Sequence, residues 1–222
     1  MISNMEKKNV AIIGATGLIG SQLLMLLLKD THFANIHVIT RRPLIIEDKR
    51  VKNIVIDFTD QIAFKHALAS CDVVFCSVGT TQKQVKGDKA EYRKIDVDIP
   101  VNAARYCEEN KGSAFLLVSS IGADSKSSHF YLALKGEVED NVVKRNIPSI
   151  SLFRPSLLLG DRKAFRLGER ISALFMKPLS FLIPSVYKPI EAAQVATSMY
   201  RAAVLNKPGV HIYHYAEMIT AL

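Results

Sequence analysis

Tryptophan is absent from the 222 residues, cysteine occurs three times, and aromatic residues make up only 8% of the chain. Three cysteines, with no pair at metal-site spacing, exclude a disulfide framework and a cysteine-rich zinc module. The histidines form no HExxH or other local metal signature, so no metal is expected. No apolar run approaches the roughly 20 residues that cross a bilayer. The opening residues MISNMEKKNV also lack the apolar stretch of a secretory signal. A soluble, reducing, cytoplasmic setting without membrane insertion is therefore expected. No composition break, Gly/Ser linker, repeat or low-complexity tract interrupts the chain, and residues 1–222 read as one domain.

What is present is a globular balance, 49% hydrophobic and 23% charged. Lys and Arg outnumber Asp and Glu by 29 to 21, a formal charge of +8. Such a surplus suits a phosphorylated cofactor, an anionic substrate or nucleic acid. No nucleic-acid reading motif accompanies it, so no nucleic-acid partner is expected.

Six short apolar runs, residues 10–14, 36–40, 53–56, 72–77, 114–119 and 150–153, read as buried strands, with a seventh at 210–215. Stretches of helical spacing lie between them: Leu18, Ile19, Leu23, Leu26 and Leu27, then 62–69, 99–109, 131–144 and 191–204. Strands alternating with helices describe an α/β fold, a doubly wound parallel sheet of six to seven strands covered on both faces. After Gly160 the basic residues Arg162, Lys163, Arg166, Arg170 and Lys177 crowd a segment with Leu167, Ile171, Leu174 and Phe175 at helical spacing. A membrane-surface helix and a nucleic-acid contact are alternatives, but Pro178 and Pro184 keep it short and favour a packed helix or substrate-side lid over 161–190.

GATGLIG, comprising Gly14, Ala15, Thr16, Gly17, Leu18, Ile19 and Gly20, follows the first strand and opens the first helix. In that context Gly14 makes the tight turn, Gly17 admits a pyrophosphate to the backbone, and Gly20 lets helix and strand pack closely. The free amides at the helix start face the phosphates. A preference for NAD usually places an acidic residue at the end of strand two. Arg41 and Arg42 stand there instead, where guanidinium groups can grip a 2′-phosphate, so NADP(H) is the expected cofactor. Asp57 and Phe58 after the third strand, with Ser77, Val78, Gly79 and Thr80 after the fourth, complete the strand tips over which it would lie.

Tyr131 and Lys135 are four apart on one helix and share a face. A phenol exchanges protons poorly near neutrality unless a neighbouring ammonium favours its phenolate form. Ser119 and Ser120 end the preceding strand, where a hydroxyl can polarise a substrate carbonyl.

GATGLIG, VSSIGAD, YLALK and FRPS, in this order, resemble the short-chain dehydrogenase/reductase superfamily. The similarity is to its atypical branch of Tat-interacting oxidoreductase-like and short nucleotide-sugar-epimerase-like proteins. It extends to about Tyr200 through VGTTQKQ, YLALKGEVE, FRPSLLLGDR and YKPIEAAQVA. The resemblance implies a Rossmann-like fold, with Tyr131 as acid/base, Lys135 assisting it and contacting the ribose, and Ser120 as the serine of the catalytic set. It also implies nicotinamide contacts at Pro155, Ser156 and Leu157. The expected activity is NADPH-dependent oxidoreduction of a small carbonyl or hydroxyl compound, by a monomer or homodimer. The alternative is a non-catalytic NADPH sensor or protein-interaction regulator. The short distance from the last motif to Leu222 argues against a bulky nucleotide-sugar substrate.

Overall fold

The computed structural model describes residues 7–160 and 184–220. β1 (Lys8–Ile13) leads through the glycine turn into α1 (Leu18–Lys29), followed by β2 (Phe33–Thr40) and β3 (Val51–Val55). α2 (Gln61–Ala67) then precedes β4 (Val73–Cys76). A helical stretch follows, α3 (Lys89–Arg93), a π-helical turn (Lys94–Asp98) and α4 (Ile99–Glu109), then β5 (Ala114–Val118), α5 (Phe130–Val142) and β6 (Ser149–Phe153). The short strands β7 (Leu158–Leu159) and β8 (Ile190–Glu191) precede α6 (Ala192–Leu205), β9 (Gly209–Tyr213) and α7 (Tyr215–Thr220).

Seven strands form one parallel sheet in the order β3-β2-β1-β4-β5-β6-β9. The order reverses between β1 and β4, as in a doubly wound Rossmann-like sheet, and opens a crevice at the carboxyl ends of the strands there. Alternation along each strand sends side chains to opposite faces. Ala11 and Ile13 join Phe64 of α2, Ala103 of α4 and Val138 of α5 in one core. Val10 and Ile12 join Leu23 of α1, Val195 and Met199 of α6 and Met218 of α7 in the other.

The six strands and the late seventh fall where the apolar runs place them, within one to three residues at their ends. Three elements lie beyond the sequence reading. Residues 89–98 are helical; Tyr92 and Asp96 turn inward while Lys89, Arg93 and Lys94 stay exposed. Pro100 in the first turn of α4 would clash with the carbonyl of residue 96 in a regular helix, and the wider π turn relieves that clash. Tyr215 begins a helix instead of ending the last strand, and β7 pairs with β8 in a separate two-stranded sheet. Of the expected lid, 161–183 with its basic residues lies outside the described residues. Its tail holds a single turn at Ser185–Tyr187. Among the described residues no helix is long and apolar enough to cross a membrane.

Candidate functional site

The turn after β1 is shaped by close approach. Gly14 has φ +91°, and a Cβ there would lie 2.8 Å from the Ser77 carbonyl group. At Gly20 a Cβ would lie 2.1 Å from the Gly14 carbonyl oxygen, so helix and turn pack at a distance only glycine allows. Gly17 is less confined, 3.2 Å from the same oxygen. It starts α1 with no side-chain cap, leaving the first-turn amides for another acceptor. Ala15 and Ile19 bury their side chains, while Thr16 is exposed and Leu18 half-buried. The Ser77 hydroxyl faces β1, donating to the carbonyls of Ile13 at 3.2 Å and Gly14 at 3.4 Å. It therefore braces the turn, leaving the backbone of Val78, Gly79 and Thr80 at the crevice.

Asn53 on β3 builds the end of β2. Its amide donates to Val38 O and Thr40 Oγ1, both at 2.9 Å, and its carbonyl accepts from the Leu44 amide at 2.7 Å. Thr40 donates to Arg42 O at 2.7 Å, closing the turn. Arg41 and Arg42 project from this fixed backbone, exposed and without an ion pair among the described residues. Asp57 is exposed, and the amide of Thr59, 2.9 Å away, holds its carboxyl below the usual range. Phe58 packs edge-on against Phe64.

Lys135 is buried on α5, with Nζ 3.0 Å from Asp96 Oδ1 and 5.8 Å from the centre of the Tyr131 ring. Burial alone would lower the Lys135 ammonium. The Asp96 carboxylate, with Tyr131 and Cys76, outweighs it and holds the group above its ordinary value. Asp96 Oδ2 accepts from the Thr80 amide at 2.8 Å, so one carboxylate joins the loop after β4 to the lysine of α5. Tyr131 is half-buried, and no hydrogen bond to its hydroxyl occurs among the described residues. Ser119 is buried with an unpartnered hydroxyl; Ser120 is half-buried and donates to Ile121 O at 3.3 Å.

The loop after β5 is pressed onto α5. A Cβ at Gly136 would lie 2.0 Å from the Ser125 amide nitrogen, and the Asp124 amide donates to Leu132 O at 3.1 Å. The segment after β6 meets the same loop, since Pro155 O accepts from the Ile121 amide at 2.9 Å. Ser156 Oγ donates to Lys188 O, and Leu157 O accepts from the Ile190 amide. His129 is an exposed residue at the start of α5. The glycine turn, the two arginines, Tyr131, Lys135 and Ser120 thus share the carboxyl edge of the sheet.

Reading the sequence for motifs misses Asp96, Glu139 and Gly136. Asp96 lies between Ile95 and Val97, and an acidic residue inside an apolar stretch needs a buried cation. Glu139 lies four residues after Lys135, on its face of the helix. The three cysteines, Cys71, Cys76 and Cys107, are free and buried. Among the described residues no His, Cys, Asp and Glu cluster could hold a metal.

A family model described as NAD(P)H-binding matches residues 14–147. The chain is similar to Protein HTATIP2 of Rattus norvegicus, 35% identical over 178 residues covering 79% of this chain and 73% of that protein. It is similar also to Protein FMP52-1, mitochondrial, of Scheffersomyces stipitis, 31% identical over 218 residues covering 93% and 95%. Its fold is similar to the solved structure of MoeE5 in complex with UDP-glucuronic acid and NAD, with TM-score 0.72, 17% identity, and coverage of 93% of this chain and 76% of that one. The expected Rossmann-like fold and the expected similarity to nicotinamide-dinucleotide-binding proteins therefore hold. The cytoplasmic expectation does not: several fungal relatives, 30% to 34% identical, are named mitochondrial. An apolar signal marks secretion, whereas mitochondrial transit segments are amphipathic and Arg-rich, so the missing apolar run does not bear on that compartment.

Proposed function

The chain belongs to the NAD(P)H-binding family, and on that premise we propose that it is an NADPH-dependent oxidoreductase that reduces a small carbonyl compound or oxidises the matching alcohol. One observation carries the reading: Tyr131 and a buried, charged Lys135 stand on one helix at the sheet edge that also holds the glycine turn, with Ser120 in the loop that leaves β5 at the same edge. The cradle fits an anionic dinucleotide, because Gly17 leaves space and the first-turn amides of α1 carry no side-chain cap. Gly14 through Gly20 would hold the pyrophosphate, and Arg41 and Arg42 a 2′-phosphate. Asp57 and Phe58 would border the adenine, Ser77 through Thr80 the central backbone, and Pro155 through Leu157 the nicotinamide.

When bound, the reduced cofactor supplies a hydride. Ser120 orients and polarises the substrate oxygen. Tyr131 delivers its hydroxyl proton to that oxygen and recovers one from solvent. Lys135, kept protonated by Asp96, favours the resulting phenolate and holds the ribose.

The test is a screen of small aldehydes, ketones and quinones, following the absorbance of NADPH. Loss of NADPH with formation of the alcohol or hydroquinone is expected. Tight NADPH binding with no turnover across the panel would replace this reading with a non-catalytic NADPH sensor.

A further inference from the structure

The helix that carries Tyr131 and Lys135 bears a second buried charge one turn later. Glu139 is 6% exposed in its side chain and meets Arg154, which follows β6. Arg154 Nε donates to both carboxylate oxygens, at 3.0 and 3.2 Å, and Nη2 donates to Oε2. A forked guanidinium–carboxylate contact fixes orientation as well as distance. The Arg154 backbone is held too, its amide donating to Tyr213 O of β9 at 2.9 Å. The next residue, Pro155, receives the Ile121 amide from the loop beside Ser120. Arg154 thus stands where β6, β9, the serine loop and α5 converge.

We propose that Glu139 and Arg154 are a positioning pair that sets the nicotinamide end of the cofactor site, locking the Tyr131 helix to the Pro155–Leu157 segment. The proposal rests on the cofactor reading above. Neither side chain touches the chemistry; the pair acts through α5 on one side and Pro155 on the other. The adenosine end would be built by other elements, the ends of β1, β2 and β3, and among the described residues no hydrogen bond or ion pair joins them to the Glu139 and Arg154 side chains. Loosening it should therefore disturb one half of a dinucleotide and spare the other.

The test compares NADPH with adenosine 2′,5′-bisphosphate, which carries the adenosine end alone, by calorimetry on Arg154→Met and Glu139→Gln. NADPH should bind about tenfold more weakly or worse, a loss in keeping with a misplacement of about 1 Å, while the bisphosphate binds within about twofold of the unaltered protein. The exchange Glu139→Arg with Arg154→Glu should recover part of the NADPH affinity. Should Arg154→Met not fold, Arg154→Lys, which keeps the charge but loses the fork, should give the same split with smaller size. Unchanged NADPH affinity in folded variants, or equal weakening of both ligands, overturns the proposal. Failure of the unaltered protein to bind NADPH would overturn the cofactor reading instead.

Discussion

Lys135 and Asp96 form an ion pair almost wholly removed from water, with side chains 7% and 1% exposed. Breaking such a pair from one side strands a charge in the interior, at a cost of about 3–5 kcal/mol, whereas replacing both members with apolar groups of like size is often close to neutral. Asp96→Ala should therefore lower the unfolding free energy by about that amount, and Asp96→Leu with Lys135→Met should restore most of it. Denaturant unfolding followed by circular dichroism checks both. A single substitution as stable as the unaltered protein would mean that the pair is not buried in solution.

The same pair fixes a pH dependence. The folded lysine stands above its ordinary value of 10.5, so its contribution is fully present below that value and is lost as pH rises through the higher folded value. Thermal unfolding of the unaltered protein should lose this increment only in strongly alkaline solution. The doubly apolar variant should lack it.

The glycines separate folding from binding. Gly14→Val puts a branched side chain 2.8 Å from the Ser77 carbonyl group at φ +91°, and Gly20→Ala places a methyl 2.1 Å from Gly14 O. Both should destabilise the domain by several kcal/mol, of the order seen for strain or overpacking. Gly17→Val meets only the 3.2 Å approach and should fold while losing cofactor affinity. Melting curves beside NADPH titrations distinguish the cases; a Gly17→Val protein with full affinity would place the pyrophosphate elsewhere.

Cofactor choice should rest on Arg41 and Arg42. The unaltered protein should bind NADPH more tightly than NADH, and Arg41→Ala with Arg42→Ala should weaken NADPH by about tenfold or more with little effect on NADH. Charge-assisted hydrogen bonds to the phosphate are worth about 1.5–3 kcal/mol each. Calorimetric titration of both cofactors reads this directly, and equal affinities in the unaltered protein would refute it.

Burial pushes the thiols up, to about 12 for Cys71, about 11 for Cys76 and about 12 for Cys107. Thiolate is the reactive form, so iodoacetamide at neutral pH should label none of the three in the native protein and all three in denaturant. Rapid native labelling at Cys76, which ends β4 near Lys135, would show that the crevice floor opens.

Much of this architecture is written in short-range pattern. The strand cores from Val10 to Ile13 and from Ala114 to Val118 are continuous apolar runs because both of their faces are buried, and the Gly14–Gly20 spacing is demanded by local sterics. Tyr131 and Lys135 are legible because they are four apart on one helix. Partnerships across elements are not. Asp96 and Lys135 are 39 positions apart, and Glu139 and Arg154 lie on a helix and beyond the next strand; only the folded sheet brings them together. The helix over Lys89–Arg93 is masked by its charge, since one buried tyrosine in five residues is too little apolar signal for a pattern.

The proton donor is the centre of the proposed chemistry, and its removal is the most direct measurement. With a carbonyl substrate found by the NADPH screen, the single-turnover rates of the unaltered protein and of Tyr131→Phe are compared at saturating cofactor. The phenylalanine keeps the ring and loses only the hydroxyl, so the rate should fall about a hundredfold or more, within the range of general acid catalysis, while NADPH affinity stays nearly constant. A Tyr131→Phe protein that turns over at the full rate would contradict the mechanism.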